Sequence, residues 1–182
     1  MKSNYHTYFE LETVYLTSLV ALDYQDFYRL NTSGEVRKYL GGVPDRLRIE
    51  SRFLNLLNSY SREMIYVVRE KGTGSFCGLF TIDKYYNGID CEISYEMLPD
   101  YWGKGIARQV LEFLIHHWFH YLGRKKLVAE TQALNSRSTR LLEKAGMQPR
   151  EMITRYGEVQ LVYEIYNEQI LTRLRSSHYN DI

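Results

Sequence analysis

The chain has 182 residues, a length suited to one compact domain with a sizeable core. Hydrophobic residues make up 45% and charged residues 25%, a globular balance that excludes a disordered chain. The net charge of +1 gives no overall field for nucleic acid or an anionic membrane, and no apolar run is long enough to span a bilayer.

Met1 to Phe9 lacks the basic-then-apolar pattern of a signal peptide and reads as a short arm. Glu12 to Leu19 alternates as a first strand. Asp23 is placed to cap a helix to about Leu30, and a second helical pattern runs from Leu47 to Tyr60. Arg37 to Pro44, between them, is a loop ending in turn residues. Met64 to Glu70 and Phe76 to Tyr85 are strands joined at Gly72-Thr73-Gly74. Asn87-Gly88 signals a tight hairpin into the strand Ile89 to Leu98. Alternation along that strand puts Glu92, Ser94 and Glu96 on one face, and Cys91, Ile93, Tyr95 and Met97 on the other.

Pro99 then breaks the strand, Gly103 and Gly105 mark a turn, and from Lys104 to about Tyr121 apolar positions recur at helical spacing. Glycines there let the backbone approach a bound group, and the free N–H groups of the first helical turn favour an anion. A phosphate-bearing ligand is expected between residues 102 and 108. Lys126 to Thr131 is a short strand, and Asn135 to Ala145 a helix closed by Gly146. A strand, a turn at Tyr156-Gly157-Glu158 and a strand to about Tyr166 follow, and the tail from Asn167 reads as a short helix that frays. This order predicts an α+β (mixed α/β) fold, a mostly antiparallel twisted sheet with helices on its faces, in a single domain over residues 1–182.

Cys77 and Cys91 show no metal-type spacing and read as buried thiols of a reducing cytosol. His116 and His120, at i and i+4, read as a solvated helix face, and no metal is expected. Phe113 beside them marks either a self-association patch or an ordinary exposed aromatic, so monomer and homodimer both remain open.

Two segments carry a resemblance to the GNAT superfamily of acyl-CoA-dependent N-acyltransferases. Trp102-Gly103-Lys104-Gly105-Ile106-Ala107 resembles the family's pyrophosphate-binding turn, with Gly105 and Ala107 matching and Trp102 where Gln or Arg is usual. Asn135-x-x-Ser138-x-x-Leu141-Leu142-Glu143-Lys144-x-Gly146-Met147 resembles the family's later helix. Glu12 to Leu16 and Glu35 to Leu40 look like the branch of ribosomal-protein N-terminal acetyltransferases. The resemblance covers about residues 10 to 170.

What this implies is a cytoplasmic N-acetyltransferase that uses acetyl-CoA as co-substrate and has no covalent enzyme intermediate. The amides of Gly103 to Ala107 would hold the pyrophosphate, with the Lys104 side chain either adding charge or facing solvent. The strands matching Ile89–Leu98 and Lys126–Thr131 would splay around the donor's arm, with a backbone N–H near Tyr95–Leu98 facing the thioester oxygen. Glu92 is the candidate general base, against the reading of a solvent-side carboxylate. Asn135 would cap its helix and bond the donor's arm. The family's Tyr that protonates the thiolate is replaced by Leu142, which leaves Ser138, water or the amine itself for that role. Tyr39, Tyr85 and Tyr86 would border the acceptor. That acceptor is expected to be a protein N-terminal α-amine, with a small amine (polyamine, amino acid or aminoglycoside) as the alternative. A non-catalytic acyl-CoA-binding sensor is a second class.

Overall fold

The computed structural model describes residues 7–59 and 64–167. They divide into two compact units, one of residues up to 83 together with 94–107, the other of 84–93 together with 108 onward. The first holds β1 (Thr7–Glu10), β2 (Val14–Thr17), β3 (Ile65–Glu70) and nearly all of β4 (Phe76–Lys84). The next strand, β5 (Cys91–Met97), passes from the second unit into the first. β1/β2, β2/β3 and β3/β4 are antiparallel, and hydrogen bonding continues from β4 to β5. β1 lies where the sequence suggested only an arm; its four residues are a strand because the chain turns back after Glu10 and β2 offers them an edge. Residues beyond 167, with the expected tail helix, lie outside the described part.

Three helices complete this unit: α1 (Tyr24–Thr32), α2 (Gly34–Arg37) and α3 (Arg46–Leu57). Phe27 and Leu30 of α1 and Ile49 and Phe53 of α3 are buried at helical spacing, and the Phe27 and Phe53 rings lie 5.2 Å apart. Asp45 caps α3 by accepting from the Arg48 amide at 2.9 Å, and Ser33 caps α2 by accepting from the Val36 amide at 3.4 Å. Asp23, expected to cap α1, makes no cap bond there. Its carboxylate instead accepts from the Val20 amide at 3.0 Å and pairs with Arg69. The buried guanidinium of β3, 46 residues away, and not the helix end, is what the carboxylate serves. β4 and β5 approach closely at Gly78, where a Cβ would stand 2.3 Å from the Glu96 carbonyl oxygen.

In the second unit, hydrogen bonding runs β5, β6 (Lys126–Gln132), β8 (Glu158–Tyr166), β7 (Gln148–Arg155). β5/β6 is parallel, with Glu92 opposite Val128, and the other two pairings are antiparallel. The sheet is thus mixed and mostly antiparallel, as expected. Tyr156 (φ 57°) and Gly157 (φ 77°) make the two-residue turn between β7 and β8. The Asn87-Gly88 hairpin is longer: the Tyr85 amide donates to the Asp90 carbonyl at 2.9 Å, and Asn87 Oδ1 accepts from the amides of Ile89 and Asp90.

α4 (Ile106–His120) buries Val110, Leu111, Leu114, Ile115, Trp118 and Phe119, while His116 and His120 stack on its exposed face. α5 (Ser136–Lys144) buries Leu142 and ends at Gly146 with φ 89°.

Candidate active site

In the first unit the chain leaves β5 and makes a single 3-10 turn over Pro99–Tyr101. The Trp102 indole N–H donates to the Met97 carbonyl at 2.8 Å and closes the turn on itself. Trp102 therefore anchors the turn where the resembled family has Gln or Arg, a role the sequence did not reveal. Gly103 (φ 73°) and Gly105 (φ 79°) are left-handed, and nothing lies within 4 Å of where either Cβ would stand. Backbone conformation, not crowding, requires glycine here, and the face above the peptide groups is open to a ligand. Ile106 is buried and fixes the start of α4, whose first amides lack intrahelical acceptors. These features fit a pyrophosphate. The Lys104 ammonium lies 5.3 Å from the Tyr101 ring centre.

The Leu98 amide donates to the Cys77 carbonyl at 2.8 Å, so it is engaged with β4 and is not a donor for an oxyanion. Alternation turns the Met97 amide toward the opposite edge of β5, which makes it the better candidate within the Tyr95–Leu98 stretch. Burial pushes the Cys77 thiol up to about 11, so it stays protonated at neutral pH and is no nucleophile.

Glu96 is the feature sequence reasoning passed over. It shares a β5 face with Glu92 and Ser94, and its side chain is only 10% exposed. Arg52 of α3 donates to its Oε1, and Arg37 of α2 lies 3.6 Å from its Oε2, which accepts no hydrogen bond among the described residues. Arg52 also donates to buried Asn31 at 2.7 Å, and Arg37 to the carbonyls of Leu40 and Gly42. The two guanidiniums thus tie the loop after α2, α3 and β5 to one carboxylate. Beside them is a cavity of about 390 Å³ lined by Arg48, Ser51, Arg52, Asn55, Ser59 and Asp83 among others. The only advance signal was the alternation that put Glu96 on the Glu92 face.

In the second unit, Glu92 is half-buried opposite Val128. Asn135 caps α5, its Oδ1 accepting from the Ser138 amide at 3.2 Å, and Ser138 is buried in the first turn of that helix. Tyr85 and Tyr86 meet edge to face at 4.5 Å, while Tyr39 lies in the first unit beside Lys38.

Three comparisons with known proteins bear on this arrangement. The family model described as "Acetyltransferase (GNAT) domain" matches residues 13–148. Among curated relatives, the uncharacterized N-acetyltransferase p20 of Bacillus licheniformis is 26% identical over 147 residues, covering 76% of this chain and 82% of p20. The uncharacterized N-acetyltransferase YoaA of Bacillus subtilis is 34% identical over 65 residues, a match that spans 36% of this chain and only 37% of YoaA. Among solved structures, spermidine N-acetyltransferase from Vibrio cholerae, in complex with CoA and spermine, superposes with a TM-score of 0.72 at 18% identity, covering 87% of this chain and 98% of that one. RimL, a ribosomal L7/L12 α-N-protein acetyltransferase, gives 0.75 at 12% identity, covering 89% and 94%. The solved structures share the fold. The family match spans well over half of the residues, and the chain belongs to the GNAT acetyltransferase family.

Proposed function

We propose that this GNAT chain moves an acetyl group from acetyl-CoA to a primary amine, and that the favoured acceptor is the N-terminal α-amine of a protein. The observation that carries the choice of acceptor is the cavity beside α3. It presents two guanidiniums, Arg48 and Arg52, against one carboxylate, Asp83, together with the neutral hydrogen-bonding side chains Ser51, Asn55 and Ser59. Such a lining offers donors and acceptors to the peptide groups behind a chain end, with Arg48 also paired to Asp45 and Arg52 to Glu96. An α-amine also titrates near ~8 rather than the ~10.4 of an alkyl ammonium, so far more of it is neutral at pH 7.

Acetyl-CoA supplies the acyl group as an activated thioester. The amides of Gly103 to Ala107 hold its pyrophosphate in this reading, and Asn135 and Ser138 are the side chains assigned to its arm. Glu92 takes the proton that the amine gives up as the new C–N bond forms. The Met97 amide donates to the carbonyl oxygen as negative charge builds there. As the C–S bond breaks the sulfur takes a proton, for which the Ser138 hydroxyl and water are the candidate sources. Residue 142, a leucine buried in the core, supplies none.

The test is acetyl-CoA-dependent release of free thiol with a panel of N-terminal peptides, spermidine and an aminoglycoside. Peptides are expected to exceed spermidine in kcat/KM by about tenfold or more, a difference of ~1.4 kcal/mol. Faster turnover of spermidine would overturn the acceptor assignment, and acetyl-CoA binding without turnover of any amine would leave a sensor.

A further inference from the structure

A cluster in the second unit includes Tyr85 and Tyr86, expected from the resemblance to border the acceptor, and takes no step of the proposed transfer. Glu130 of β6 is buried, its side chain 9% exposed. Its Oε2 accepts from the Tyr85 hydroxyl at 2.9 Å and from the Arg155 guanidinium at 2.8 Å. The same guanidinium lies 3.5 Å from the Tyr86 ring centre and 5.6 Å from that of Tyr85. Two aromatic faces at right angles and a buried carboxylate therefore enclose one planar cation. That combination recognises guanidinium through stacking and a charge-assisted hydrogen bond.

The occupant belongs to the chain, and its side chain is 20% exposed. Arg155 is the last residue of β7, the final strand in the hydrogen-bonding order, and precedes a turn whose Tyr156 is 89% exposed. Its backbone is held independently of its side chain, through its register with Glu158 and through Gln160, which donates to its carbonyl at 3.4 Å. Tyr86 is 63% exposed, so one wall of the cage opens to solvent. The side chain can swing out without moving the strand, whereas Glu130 and Tyr85 cannot follow it.

We propose that Tyr85, Tyr86 and Glu130 form a recognition site for an alkyl guanidinium group, which Arg155 fills until an external guanidinium replaces it. Competition with the tethered arginine weakens the apparent affinity of the intact protein by the fraction of time that the cage stands empty. Removing Arg155 lifts that competition and leaves the Glu130 carboxylate without its cation, which favours any guanidinium that enters. This inference does not depend on which amine is acetylated.

The experiment is calorimetric titration with agmatine in the absence of acetyl-CoA. The wild type is compared with Arg155→Met, which keeps the apolar stem, and with Arg155→Met/Glu130→Gln. Circular dichroism and melting confirm that each variant is folded. Arg155→Met is expected to bind agmatine at least about tenfold more tightly than the wild type (~1.4 kcal/mol), with the gain lost in the double variant. A second arm uses an arginine-bearing peptide and its citrulline counterpart. Binding of the arginine peptide alone would keep the site and assign its ligand to a protein side chain. Equal agmatine and peptide affinities in wild type and Arg155→Met, or tight binding that survives Glu130→Gln, would overturn the proposal. Should Arg155→Met not fold, competition by agmatine for the cage with Arg155 in place, read as the fluorescence of a Tyr86→Trp variant, decides the matter: a change with agmatine but not with butylamine supports the site, and no change removes it.

Discussion

The first unit holds two arginine–carboxylate clusters with the same chemistry and opposite surroundings. Asp23 and Arg69 are 1% and 3% exposed in their side chains, and the guanidinium has Thr17 and the Gly74 carbonyl as further partners. Glu96 is nearly as buried, but Arg52 is 38% exposed, and one carboxylate oxygen accepts no hydrogen bond among the described residues. A sealed, satisfied pair of this kind joins elements: β3, β2 and the turn before α1. The second is saturated on one oxygen, under-satisfied on the other, and borders a cavity. Buried polar atoms are rarely left without a partner, so the bare Oε2 sets this cluster apart from the Asp23 pair, and Arg52 is its member that lines the cavity. Burial of the carboxylate alone does not separate the two clusters; exposure of the guanidinium and the count of partners do.

Removing one member of each cluster should separate them most clearly. Asp23→Ala leaves Arg69 charged in the interior and is expected to cost about 3–5 kcal/mol in stability, measured by urea denaturation. Activity per folded molecule should stay close to that of the wild type. Glu96→Gln leaves two guanidiniums that can reach water or other partners, so its cost should be smaller, about 1–3 kcal/mol. Its effect on the acceptor should be larger: kcat/KM is expected to fall by about tenfold or more (~1.4 kcal/mol) while acetyl-CoA affinity is retained. If the two variants lost activity and stability in the same proportion, the distinction between the clusters would collapse.

What could be read in advance follows the range of the forces involved. The glycines at 103 and 105, the Asn135 cap and the Tyr156-Gly157 turn are decided within a few residues by backbone sterics and local hydrogen bonds, and the structure has them where expected. The family resemblance rested on the same local signals. Glu96 meets Arg52 across 44 residues and Arg37 across 59, and Tyr85 meets Glu130 across 45, separations at which no periodicity reports the pairing. Asp23 needed Arg69, 46 residues away. Alternation correctly put Glu92 and Glu96 on one face, but it could not show that guanidiniums already hold one of them.

The smallest expected stability effect gives the finest test of the comparison, because it keeps the charge and changes only its shape. Lysine at position 69 cannot reproduce a planar fork bonded at once to Thr17, Asp23 and the Gly74 carbonyl, so Arg69→Lys should still destabilise measurably. Arg52→Lys acts at a half-exposed site, where an ammonium can stay solvated and still pair with Glu96, and should cost under about 1 kcal/mol. The cavity would nonetheless lose a fork able to bind a peptide carbonyl or carboxylate through two N–H groups. KM for the peptide acceptor should therefore rise several-fold with kcat little changed, the pattern of a group that binds ground state and transition state alike. A fall in kcat at constant KM would instead place Arg52 against the reacting atoms. The cluster would then belong to the chemistry rather than to recognition of the acceptor.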